Sequence, residues 1–266
     1  RPGRPAVTAP LLEVTDLTRR FEGLTAVDGA SFTVGVGERV GLIGPNGAGK
    51  TTCFNMLGGQ LRADGGAVCL DGRPVLGFKP GRLWRAGIGR TFQITATFPS
   101  MTVRENVQVA LMSHHRRIFR PFSRGDRQYR GEADALLTRV EMGDQAERLC
   151  AVLAYGDLKR LELAVALANR PRLLLMDEPT AGMAPAERGA LMRLVDSVVA
   201  EEGLAVLFTE HDMDVVFGHA DRVLVMARGQ LIARGTPDEV RLDPTVREVY
   251  LGGSISPTTT ADQPDS

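Results

Sequence analysis

Apolar positions in this chain change their period several times, and each change marks an element. Residues 173–176 read Leu-Leu-Leu-Met and run into Asp177-Glu178. An unbroken aliphatic run of this length predicts a parallel strand buried on both faces. Similar runs at 40–43, 205–208 and 223–226 predict further strands. Between them, helices are predicted over residues 50–57, from a turn at Gly156 onward, and over residues 187–200. Strand alternating with helix predicts a mainly parallel sheet. Residues 11–14, 30–34, 39–43 and 68–70 predict short strands separated by turns at Asp28-Gly29, Gly35-Val36-Gly37 and Asp71-Gly72, which places a small antiparallel sheet beside the parallel core.

From Ser100 the pattern becomes helical. Thr102-Val103-Arg104-Glu105 is a capping box before a helix at 106–112, and Ala133, Leu136, Leu137 and Val140 recur at helical spacing. Residues 94–152 therefore predict a helical insertion within one domain spanning 11–253. Arg228-Gly229-Gln230 predicts a hairpin turn, and Thr236-Pro237-Asp238-Glu239 joins a capping box to proline at the first helical position. Residues 1–10 are Pro-rich, and residues 254–266 are rich in Ser, Thr, Pro and Asp. Both tails are expected to be disordered. The chain starts at Arg1 rather than Met, so the natural N-terminus is expected to be missing or altered.

Composition narrows the classes. At 266 residues and 43% hydrophobic, the chain can bury one substantial core. Its 32 basic and 32 acidic residues give no net field that would favour nucleic acid or an anionic membrane surface. Cys53, Cys69 and Cys150 are odd in number and lack C-x-x-C spacing. This argues against a disulfide framework or a zinc site and fits a reducing compartment, the cytoplasm. No apolar run approaches the roughly 20 residues that span a bilayer. Arg116, Arg117, Arg120, Arg124, Arg127 and Arg130, with Phe119, Phe122 and Tyr129 interleaved, read either as a solvated loop or as a surface for nucleic acid or phospholipid head groups.

Gly44-Pro45-Asn46-Gly47-Ala48-Gly49-Lys50-Thr51 fits G-x-x-x-x-G-K-[ST] and lies between a predicted strand and a predicted helix, the context that the motif requires. Its glycines let backbone amides converge on phosphate, and the helix dipole favours the anion. Lys50 is placed to span β and γ oxygens and Thr51 to ligate Mg²⁺, with Thr52 beside it. Asp177, at the end of its strand, suits Mg²⁺, and Glu178 suits the role of base for an attacking water. ATP and Mg²⁺ are the predicted cofactors.

With these motifs in order, the chain resembles the ATP-binding subunit of an ABC transporter. The resemblance implies a P-loop NTPase core, an antiparallel β subdomain and an inserted helical subdomain. By it Gln93, in Arg90-Thr91-Phe92-Gln93, touches Mg²⁺ and the attacking water and reports to a membrane subunit that meets residues 94–100. By residue type alone, Gln93 is only a polar residue at the edge of the insertion. His211, in Thr209-Glu210-His211-Asp212, resembles the switch histidine that reaches the γ-phosphate, and Phe21 the aromatic that stacks on adenine. By residue type alone, Phe21 also reads as a core residue of the small sheet.

In Leu153-Ala154-Tyr155-Gly156-Asp157 only Gly156 keeps the signature glycine that would face a partner's ATP. Ala154 has no hydroxyl, and backbone amides must make that contact. Ala184 stands where an aspartate is common. Leu-Ala-Tyr-Gly, Arg-Thr-Phe-Gln and the closing Tyr250-Leu251-Gly252 resemble importers of branched-chain and other hydrophobic amino acids. The implied partners are a second ATP-binding subunit, the same or paralogous, two transmembrane permease subunits and an extracytoplasmic binding protein. The implied location is the cytoplasmic face of the inner membrane, and no nucleic acid is expected. The competing class is a soluble ABC-type ATPase acting on DNA or ribosomes, usually with tandem cassettes or coiled-coil insertions. A nucleotide kinase would share the phosphate loop but would not predict the glycine turn before the carboxylate strand.

Overall fold

A computed structural model describes residues 9–91, 97–115 and 129–251. In chain order, β1 (Leu12–Phe21) and β2 (Leu24–Val34) lead to β3 (Arg39–Ile43), which opens into α1 (Lys50–Leu57). β4 (Gly65–Leu70), β5 (Arg73–Pro74), α2 (Pro80–Ala86) and β6 (Ile88–Arg90) follow. α3 (Val103–His114) and α4 (Arg130–Arg139) precede α5 (Tyr155–Leu167). From there strand and helix alternate through β7 (Leu173–Asp177), α6 (Pro185–Glu202), β8 (Ala205–Thr209), α7 (Met213–His219) and β9 (Arg222–Ala227). β10 (Gln230–Gly235), α8 (Pro237–Leu242) and α9 (Pro244–Leu251) end the described chain.

The larger sheet has the order β10-β9-β3-β8-β7-β6, with β10 antiparallel to β9 and the other neighbours parallel. Its inner strands are apolar on both sides because each side has its own core. Leu173 and Leu175 of β7, Leu207 of β8 and Leu224 of β9 face one cluster, which also holds Phe54 and Leu57 of α1 and Val14 and Phe32 of the small sheet. Leu174, Met176, Phe208 and Val223 face the other, built with α3 to α7. The period-2 alternation of a strand is thus divided between two apolar layers, which is why these segments read as continuous runs. α1 lies between the two sheets, so the helix that starts at the phosphate loop is fixed along its length.

The small sheet is antiparallel, in the order β2-β1-β4-β5. Its strands are longer than the sequence predicts. Asp28-Gly29 is not a turn between strands but an irregularity within β2, where the register against β1 shifts and Gly29 takes φ 65°. The outer face of β1 and β2 is largely exposed, so it carries polar residues that hide the strand period. α2 and β6 have no counterpart in the sequence reading: β6 is three residues long and includes glycine. Elsewhere local chemistry predicted local structure. Thr102 caps α3 by accepting from the Glu105 amide while the Glu105 carboxylate accepts from the Thr102 amide, and Thr236 and Glu239 do the same for α8. No helix among the described residues is long and apolar enough to cross a membrane.

Candidate nucleotide site

The chain leaves β3 at Gly44 and enters α1 through Gly49. Gly44 has φ 154°, and a Cβ there would lie 2.2 Å from the Met226 carbonyl oxygen; Gly49 has φ 102°, and a Cβ there would lie 2.3 Å from that of Ala26. Only glycine passes both points. The loop is therefore seated between β9 and β2, with its amides ahead of the α1 N-terminus. Lys50 is buried, and its Nζ donates to the carbonyl oxygens of Gly44 at 2.6 Å and Pro45 at 3.1 Å. Burial lowers its pKa from the ordinary lysine value, and the carboxylates of Glu178 and Asp177 oppose that shift.

These residues open onto a cavity of about 530 Å³ lined by Phe21, Leu24, Thr25, Ala26, Asn46, Gly47, Ala48, Gly49, Lys50, Thr51, Thr52, Glu178, His211 and Arg228. That volume lies within the range of small-molecule sites. Phe21 is 40% exposed rather than buried in the sheet, and the Arg19 guanidinium lies 4.6 Å from its ring centroid. Leu24, unremarked in the sequence, is 67% exposed and adds an apolar surface beside it.

Acidic groups arrive from the ends of β7 and β8. Asp177 is buried; its Oδ1 accepts from the Thr209 hydroxyl at 2.7 Å, and its Oδ2 faces Arg90 Nη2 at 3.4 Å. Glu178 takes φ 50°, which costs a non-glycine residue of order 1–3 kcal/mol. Its amide is held by the carbonyl and the hydroxyl oxygen of Thr209, each at 3.1 Å. The strained backbone turns the carboxylate toward the cavity, where Glu178 Oε1 meets His211 Nε2 at 2.8 Å. An ionised carboxylate only accepts, so Nε2 carries the proton in that pair. Glu210 is buried and accepts from the Thr180 amide at 2.8 Å and the Thr180 hydroxyl at 2.6 Å, tying the turn after β7 to the turn after β8.

The structure thus gathers Phe21, most of the phosphate loop, Glu178 and His211 around one cavity, with Asp177 behind Glu178. Gly156 lies elsewhere, at the start of α5. Gln93 and residues 94–96 lie outside the described residues, as do the arginines from Arg116 to Arg127. Of that basic segment, His115 stacks on Tyr129 with ring centroids 4.8 Å apart. Thr209, Glu210 and Arg90 were not singled out as site residues in the sequence. Asp177 and Thr180, which they hold, stand 30 to 87 positions away, and only the lineup of β6, β7 and β8 brings them together.

A glycine-built phosphate loop at the carboxyl end of a parallel sheet, facing paired carboxylates, defines a P-loop nucleoside triphosphatase. Comparison with known proteins narrows that class. The ABC transporter family model matches residues 27–181, and a model described as branched-chain amino acid ATP-binding cassette transporter matches residues 230–255. The high-affinity branched-chain amino acid transport ATP-binding protein BraF of Pseudomonas aeruginosa is 40% identical over 92% of this chain and 99% of its own. LivG of Escherichia coli, described in the same words, is 38% identical over the same shares. Among solved structures, an ATP-binding cassette of an ABC transporter in its ADP conformation matches with a TM-score of 0.82 at 32% identity, covering 92% of this chain and 100% of that one. A nucleotide-free cassette matches with a TM-score of 0.81 at 30% identity, covering 91% and 99%. The chain belongs to the ABC transporter family and is one of its ATP-hydrolysing, ATP-binding subunits.

Proposed function

We propose that this subunit drives import of branched-chain or other hydrophobic amino acids, docked on two membrane permeases at the cytoplasmic face of the inner membrane and served by an extracytoplasmic binding protein. We assign the chain two halves of nucleotide sites that serve different ATP molecules, a reading supported by a cavity whose lining does not include Gly156. The first half is the cavity around Lys50, Glu178 and His211. The second is Gly156.

Gly156 lies in ordinary helical conformation, and a Cβ there would meet Glu187 Oε1 at 3.4 Å and the Met183 methyl at 3.7 Å, ordinary contact distances. Among the described residues, none stands close enough to require glycine at this position. A partner's phosphate approaching the α5 N-terminus would require it. In this reading two subunits, identical or paralogous, dimerise head to tail on ATP, each nucleotide lying between Lys50 of one chain and Gly156 of the other. We take residues 11–253 as one such cassette with a helical insertion over about 94–152.

Glu178 accepts the proton of the attacking water, and His211 orients its carboxylate through the 2.8 Å contact. Phe21 and Leu24 offer the adenine an apolar platform. The Thr51 hydroxyl and the Asp177 carboxylate form an all-oxygen donor set that suits a hard cation completed by phosphate oxygens, and Gln93 is assigned to the same ion. Bound there, Mg²⁺ would act as a Lewis acid and offset negative charge on the transferring phosphoryl group. The cargo rests on the names of the relatives and on the match over residues 230–255. No similar support attaches to an ATPase of DNA or ribosomes.

Two measurements test the proposal: copurification with membrane permease subunits, and ATP-driven uptake of labelled leucine by vesicles holding the complex. Recovery of the chain only with ribosomes or DNA would sink it.

A further inference from the structure

Arg90 ends β6, three residues before Gln93. It pairs in register with Leu175, so its side chain lies on the face of the sheet that meets α1, the same face as Asp177 two residues farther along β7. The Arg90 side chain is 12% exposed, and its guanidinium makes a three-way junction. Nη1 donates to the Phe54 carbonyl oxygen at 3.3 Å, and Nη2 donates to Asn55 Oδ1 at 2.9 Å and to Asp177 Oδ2 at 3.4 Å. One rigid fork therefore ties the C-terminal turn of the phosphate-loop helix to the carboxylate assigned to the cation, a planar geometry that lysine cannot reproduce.

Gly58, the residue after α1, makes room for it. Its φ of −80° and ψ of −1° suit any residue, so the backbone does not call for glycine. Space does: a Cβ on Gly58 would lie 2.3 Å from Arg90 Nη1 and 3.3 Å from Arg90 Cδ. A charge buried this deeply is weak evidence for stability, because its desolvation offsets its pairing. Burial in fact lowers the Arg90 pKa, against the attraction of Asp177.

We infer that Arg90 is a positioning residue for the cation site, aiming Asp177 and locking it to the far end of α1, with Gly58 as the slot that admits the guanidinium. The inference rests on the ATP site proposed above. With the Thr209 hydroxyl on Oδ1 and Arg90 on Oδ2, both oxygens of Asp177 are oriented by the protein. Groups that orient a metal's ligands in this way typically change metal affinity about 10–100-fold when removed.

The test is titration of a fluorescent ATP analogue against the full chain in EDTA and at graded Mg²⁺ concentrations, with thermal midpoints recorded alongside. In R90M the Mg²⁺ concentration for half-maximal enhancement of binding should rise about tenfold, while affinity in EDTA changes less than about twofold. G58A keeps the arginine and its charge but displaces the fork, and should shift the Mg²⁺ requirement in the same direction. R90K, which can reach Asp177 but not all three acceptors, should fall between wild type and R90M. Equal losses with and without Mg²⁺, or an unchanged Mg²⁺ requirement in both R90M and G58A, would overturn the role of Arg90 alone. Wild-type binding that shows no Mg²⁺ dependence would overturn the proposed site itself.

Discussion

The helices α1 and α5 each start beside a glycine assigned to nucleotide, and their surroundings differ sharply. At α1 the glycines are demanded from within: Gly44 and Gly49 thread between the carbonyl oxygens of Met226 and Ala26, Lys50 is buried, and Glu178 and His211 close the cavity. At α5 the preceding residue Ala154 offers no side-chain cap, Tyr155 is 44% exposed, and a Cβ on Gly156 would meet Glu187 and Met183 at ordinary contact distance. Both helix starts present free amides and the positive end of a dipole. The first gathers its cavity from the described residues of one chain; the second, in the reading proposed above, serves the nucleotide of a partner. A substitution at α1 should therefore act on one molecule, and a substitution at α5 should act only when two molecules meet.

The largest expected effect breaks the site at α1. Glu178→Gln should lower steady-state phosphate release by about 10²–10⁴-fold, the range of a lost general base, while ATP still binds. It should also prolong the ATP-bound dimer, visible as a shift in sedimentation or light scattering. Unchanged phosphate release would remove Glu178 from the mechanism.

Gly156→Ala sharpens the contrast. Because the chain itself tolerates a Cβ there, the thermal midpoint of the isolated subunit should not fall. A displacement near 1 Å at the partner's phosphate should nevertheless lower turnover by about 10²-fold. A destabilised monomer with normal turnover would place the need for glycine inside the chain after all.

Thr209→Val returns to the first region. It removes the donor to Asp177 Oδ1 and an acceptor of the Glu178 amide, leaving buried polar groups short of partners. Denaturant unfolding should show a loss of about 1–3 kcal/mol.

The smallest effect concerns the joint between the regions. Asp212 caps α7 through the amides of Asp214 and Val215 and meets Arg188 of α6, one helix on from Gly156. The Arg188 hydrogen bond, followed by the capping amides, holds the Asp212 carboxyl below the ordinary aspartate value. A carboxylate whose folded pKa is depressed contributes stability above its unfolded pKa of about 3.9, and that contribution fades as pH falls through the lower, folded value. Asp212→Ala should cost about 1 kcal/mol at neutral pH, as for a lost helix cap, and the gap from wild type should close on acidification below about pH 4. A gap independent of pH would mean that the carboxylate charge plays no part.

Much of the fold was legible in the chain. The runs at 40–43, 173–176, 205–208 and 223–226 read as buried strands because two cores flank the sheet, and Thr102 and Thr236 announce α3 and α8 because a capping box closes within four residues. The small sheet was only partly legible, since β2 carries an irregularity at Asp28-Gly29 that looks like a turn. The phosphate loop and Asp177-Glu178 stood out because each is contiguous. His211 and Phe21 were placed by family resemblance, and the cavity now shows them sharing one space with Lys50.

The amino-acid sequence by itself determined the α/β class, the phosphate loop, the carboxylate pair and the membership in a transporter ATPase family, because each is written in residues close together along the chain. Only the tertiary structure decided how those parts are held. Thr209 on Asp177, Glu210 on Thr180 and Arg90 between Asn55 and Asp177 join positions 30 to 87 residues apart. A hydrogen bond is made over about 3 Å of space whatever the separation in sequence. No local pattern encodes those pairings, and parallel strands laid side by side in the order β3-β8-β7-β6 do.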